Sequence, residues 1–112
     1  MAVSDSFRTF ALEQLARIFP VSGRSMFGGV GIYAGGVFFA LIDDDVLYFK
    51  VDDSNRPDFE ALGMEPFRPF GEEGSVMQYY VVPGHVLDEV DLLDSWATKA
   101  VLAARTVRAK RR

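Results

Sequence analysis

The sequence predicts an α+β domain of two layers, an antiparallel sheet with helices packed on one face. Three observations point there. The first segment and the last long segment carry apolar residues at helical spacing, Phe7, Phe10, Ala11, Leu15, Ile18 and then Leu93, Trp96, Ala97, Ala100, Ala104, Val107. Between them lie consecutive β-type runs separated by connections as short as "AGG" (34–36) and "DDD" (43–45). Such short links join antiparallel neighbours, because a parallel pair needs a long crossover.

Each element follows in order. Ser4, Asp5 and Ser6 offer N-caps and Pro20 blocks continuation, which predicts a helix near 5–19. Strands are expected over roughly 25–34, 37–43 and 46–51. In the last of these, Leu47, Phe49 and Val51 point one way and Val46, Tyr48 and Lys50 the other. "VFFALI" is apolar on both faces, as a central strand should be. "DDSNRPDFEALG" reads as a short helix at about 54–62, with Pro in its first turn and Gly63 past its end. The two Pro of "EPFRPFGEEG" make it a short edge strand and turn. A strand at 75–82 and a helix from about 89 to 108 complete the order α-β-β-β-α-β-β-α. Acids at 88, 89, 91 and 94 and bases at the far end match the macrodipole of that last helix.

Length and composition bound the function. The chain of 112 residues is expected to form one domain, 1–112, with a basic tail from about 105. It has no Cys and one His, His85, which excludes disulfides, thiolate metal sites and a multi-histidine centre within one chain. No stretch reaches the ~18 consecutive apolar residues of a membrane span. The N-terminus lacks the layout of a secretion signal, so a cytoplasmic, non-membrane protein is expected. Residues 1–98 hold all 16 acidic residues and six of the twelve basic ones, a formal charge of −10. Residues 99–112 hold the other six bases and no acid, a charge of +6.

The chemical motifs are incomplete. Five of the ten glycines fall between Gly28 and Gly36, and Gly29-Val-Gly31-Ile-Tyr-Ala34 matches the GxGxxA pattern of a phosphate cradle. That cradle needs a helix after the glycines, and β-type sequence follows instead. The glycines are therefore read as strand-shaping, permitting a bulge, twist or close backbone contact. Asp43, Asp44 and Asp45 are oxygen donors without the spaced partners of a calcium loop, and read as a polar turn. His85 has no nucleophile beside it in sequence. No cofactor, metal site or catalytic set is assigned, and a non-enzymatic protein is expected. Arg24, Lys50, Tyr33, Tyr48 and Tyr79 are placed on the sheet face away from the helices, an aromatic surface suited to a protein partner or a homodimer. Arg105, Arg108, Lys110, Arg111 and Arg112 form a basic tail that can meet nucleic acid, but it lacks the interleaved aromatics of single-strand binders.

The run "RSMFGGVGIYAGGVFFALIDDDVLYFKVDD" resembles the N-terminal half of the TfoX N-terminal domain family. The shared pattern stands here at Arg24, Met26, Phe27, Gly28, Gly29, Gly31 to Tyr33, Phe39 to Leu41, and Leu47 to Lys50. "FEALGMEPF" (59–67), "MQYYVVP" (77–83) and "LLDSWATKAVLAA" (92–104) extend it along nearly the whole chain. The resemblance implies an α+β domain with an antiparallel sheet, similar to type III secretion chaperones. Members in some bacteria regulate natural competence and the DNA-uptake genes, and carry a second domain after this one. The sequence ends at Arg112, so a single-domain member is expected. The resemblance supplies no catalytic residues. Three functional expectations follow: a regulatory or adaptor domain acting through protein contacts; a transcriptional regulator using the basic tail on nucleic acid; and a small-ligand or anion binder, or enzyme, built on Arg24, Lys50 and the sheet tyrosines.

Overall fold

A computed structural model describes residues 3–26 and 28–110, with side chains described as far as Thr106. The first helix, α1 (Asp5–Ala16), begins where expected: the Ser4 side chain accepts a hydrogen bond from the Phe7 N–H at 3.2 Å. The Ser4 N–H in turn donates to Asp45 Oδ1 at 2.7 Å, tying the helix start to a distant turn. Ala11 and Leu15 are fully buried, and Phe7 and Leu12 pack beside them.

Four strands follow: β1 (Ser22–Met26), β2 (Gly29–Ala34), β3 (Val37–Asp43) and β4 (Val46–Lys50). The expected strand over 25–34 is thus corrected to two strands, with one more strand before the second helix. β1 and β2 pair antiparallel from Met26↔Gly29 to Ser22↔Tyr33. Gly28 has φ of +81°, a conformation that suits glycine in a tight turn. The Gly28-Gly29 pair marks this reversal in the sequence; reading those glycines as a bulge within one strand runs the strand through it. The expected turn at "AGG" is present, with Gly35 and Gly36 both at positive φ. "DDD" also turns, with Asp44 and Asp45 at φ of +52° and +58°, a conformation that Asp tolerates.

The chain then forms α2 (Arg56–Glu60), β5 (Pro66–Phe67), β6 (Met77–Val81), α3 (Gly84–Asp88) and α4 (Val90–Lys110). All the pairings are antiparallel, in the order β1-β2-β3-β4-β6-β5. The fold is α+β, as expected. The segment before the last helix forms a separate short one, α3, because Glu89 is extended (φ −113°, ψ 110°).

One sheet face carries the core. Val30, Ile32, Ile42, Leu47 and Phe49 meet Leu93, Ala97, Ala100 and Ala104 of α4, and Ala11 and Leu15 of α1. Each fully buried large side chain contributes about 1.5–3 kcal/mol. The small Ala residues of α4 let it lie close to β3 and β4. A β-bulge adds to this core: Ile32 pairs with Ala40 and Tyr33 with Phe38, so Phe39 is the extra residue. Its ring meets Phe19 at 5.7 Å and Phe49 at 5.9 Å.

Candidate functional site

Among the described residues, no helix packs on the other sheet face. Register sets its composition. Arg24, Gly31, Leu41, Tyr48 and Val81 align in one row across five strands. A neighbouring row holds Tyr33 beside Phe38, and Lys50 beside Tyr79. The rings join these strands. Tyr33 stacks on Phe38 at 5.2 Å, Phe38 lies 5.5 Å from Tyr79, and Tyr48 lies 4.8 Å from Phe67 of β5. Arg24 Cζ sits 5.8 Å from the Tyr33 centroid and Lys50 Nζ 5.2 Å from that of Tyr79, each over a negative ring face. The structure therefore brings Arg24, Tyr33, Tyr48, Lys50 and Tyr79 to one face.

Exposure differs along that face. Arg24 is exposed, and Tyr33, Phe38, Tyr48, Lys50 and Phe67 are half-buried. Tyr79 is only 5% exposed, so it supports the floor from beneath. Burial, and then the charges of Asp43 and Asp44, hold the Tyr48 phenol above its ordinary pKa, so it is a neutral hydroxyl around pH 7. The surface is thus an aromatic floor with a cation over a ring at each of two places. Such a floor buries apolar area against a partner while its cations set orientation.

The sequence alone does not mark Phe38 and Phe67 as members of this face. Phe38 reaches this face because the bulge breaks the simple alternation of "VFFALI". Phe67 reaches it because so short a strand pairs beside β6. Only the Phe-rich character of both segments signals them.

Two glycines of the motif meet close neighbours. A Cβ at Gly29 would stand 2.4 Å from the Ile42 carbonyl oxygen, so the backbones of β2 and β3 need glycine there. A Cβ at Gly31 would stand 2.6 Å from Met26 Cε and 3.1 Å from Phe38 Cε1, the side chains that close over it. Gly29 to Ala34 is the strand β2 itself, and β3 follows it, so the GxGxxA run has no helix N-terminus after it. Beside the hairpin, the first turn of α1 and β1 border an open cleft of about 450 Å³, lined by Val3, Asp5, Arg8, Ser25, Gly28 and Gly29. Arg8 Nη1 donates to Ser25 Oγ across it at 3.3 Å. Phe27 lies outside the described residues.

The remaining candidates stand apart from this face. His85 is exposed in α3. Among the described residues, no group of three or more His, Cys, Asp or Glu is arranged to hold a metal ion. None of the described helices is long and apolar enough to cross a membrane. Arg105 is exposed on α4; the side chains of Arg108 and Lys110, and all of Arg111 and Arg112, lie outside the described residues.

Comparison with curated proteins finds no match. The model of the TfoX N-terminal domain matches residues 13–104, from the middle of α1 into α4, and spans the whole sheet. With most of its length and every strand inside that match, the chain belongs to the TfoX N-terminal domain family.

Proposed function

We infer that this is a competence-regulator-like domain that works as a regulatory adaptor, by protein contact rather than by catalysis. One observation carries the reading. The sheet face without helices presents Tyr33, Phe38, Tyr48 and Phe67 with Arg24 and Lys50 over its rings. Aromatic and Arg side chains are enriched where protein interfaces concentrate their binding energy. Family membership supports a regulatory role.

The test is comparative capture from a cell extract, with Tyr33→Ala and Tyr48→Ala set against a control on the opposite layer, Glu13→Gln. A protein retained by wild type and the control, and lost by both tyrosine variants, supports the reading. Identical capture by all four chains overturns it. Folding of each variant is checked by circular dichroism before capture.

A further inference from the structure

The sheet has two edges of unlike construction. β5 is two residues long, has a register shift at Pro66/Phe67, and is followed by Pro69. Proline and brevity protect an edge from further pairing. β1 has five residues, Ser-Gly-Arg-Ser-Met, with no proline, and Ser22, Arg24 and Ser25 are exposed. It pairs with β2 on one side, and among the described residues no other backbone group bonds to it. Alternate residues of such an edge turn both N–H and C=O away from the sheet.

Two guanidinium groups flank this edge, one on each face. Arg24 stands on the open face, over Tyr33. Arg8 reaches from α1 on the helix side to Ser25 Oγ. Among the described residues, neither is in an ion pair with a carboxylate. Arg24 and Ser25 are adjacent along the strand and point to opposite faces. A strand added at this edge also alternates its side chains between the two faces. Two adjacent acidic residues in that strand therefore offer one carboxylate to each guanidinium, a charge-assisted match.

We propose that the β1 edge takes an extended acidic segment of a protein partner as an added strand, with adjacent Asp or Glu residues reading Arg24 and Arg8. This deepens the contact reading above and rests on it. A second copy of the chain fits less well. β1 holds no acid, and antiparallel pairing of two copies brings two Arg24 side chains onto one face, where like charges repel.

The test uses the full chain and a synthetic peptide of about ten residues, Val and Thr around a central Glu-Glu pair. One control peptide replaces the pair with Lys-Lys; another flanks it with prolines. The Glu-Glu peptide should bind about tenfold tighter than either control. It should also slow amide exchange within 22–26 by about tenfold, as a new ladder requires. Arg24→Glu should weaken binding by about tenfold, whereas Arg17→Glu, an equal charge change elsewhere on the surface, should leave it within about twofold. Equal binding of all three peptides, or binding without protection of β1, overturns the proposal. So does a free chain that sediments as a dimer with β1 already protected, which would make a second copy the occupant. If the peptide fails while the tyrosine variants still lose their captured protein, the strand proposal falls and the contact reading stands.

Discussion

At the scale of single residues, Asn55 joins a strand to a helix. It is 1% exposed, and both ends of its amide are used. Oδ1 accepts the Asp52 N–H at 2.8 Å and Nδ2 donates to the Lys50 carbonyl at 3.0 Å. Asn55→Ala leaves both backbone groups without that partner and should lower stability by about 1–3 kcal/mol. A urea midpoint unchanged from wild type would refute this. The glycines make a second contrast. Gly29→Ala drives a Cβ against a fixed carbonyl oxygen, whereas at Gly31 the nearest atom is the flexible end of Met26. Gly29→Ala should cost about 1–3 kcal/mol, and Gly31→Ala less. The reverse order in thermal melts would show that the strand pair is looser than its register implies.

At the scale of elements, the start of α2 is pH-sensitive. The Ser54 hydroxyl and N–H donate to Asp52 Oδ1, and hold its carboxyl below the ordinary value against the opposing effect of burial. A lowered folded pKa means that this stabilisation is present above the unfolded value, about 4, and is lost as pH falls through the folded one. Asp52→Asn should therefore be less stable than wild type at neutral pH, and the gap should shrink below about pH 4. A gap of the same size at both acid and neutral pH would remove Asp52 from the account. At α1 the cap is simpler: Ser4→Ala should cost about 1 kcal/mol, read from the denaturation midpoint.

At the scale of the whole molecule, the basic C-terminal residues continue α4 past its last described buried residue. Among the described residues, buried side chains of α4 reach Ala104, where the family match also ends, and Arg105 and Thr106 are exposed. Deleting 108–112, which keeps Val107 of the apolar stripe, should leave one cooperative unfolding transition and cost no more than about 1 kcal/mol from lost helix-end charges. Under the contact reading, the truncated chain still captures the partner lost by Tyr33→Ala. If the tail instead carries the function, duplex DNA binding falls with the deletion and weakens with rising salt.

The chain's local chemistry is legible where one residue type permits one conformation. Ser4 caps α1, Gly35-Gly36 and the aspartates turn hairpins, and the apolar spacing of 93–104 gives the buried stripe of α4. These are short-range effects, and together they determine the helix faces and the antiparallel α+β class. The candidate surface is legible in part: Arg24, Tyr33, Tyr48 and Lys50 share it through strand alternation. What lies beyond alternation required the tertiary structure. The reversal between Met26 and Gly29 carries a Gly-Gly signal that suits a turn or a bulge within one strand, and the pairing of β1 with β2 decides for the turn. The Phe39 bulge shifts parity, turning one Phe to the core and its neighbour Phe38 to the open face. Tyr79 is buried with Phe38 of β3 and Lys50 of β4 against its ring, and β1 becomes an edge only through the strand order. Spacing along a chain fixes which way a side chain leaves its own strand; which strand lies beside it, and whether any does, is settled by packing between distant segments.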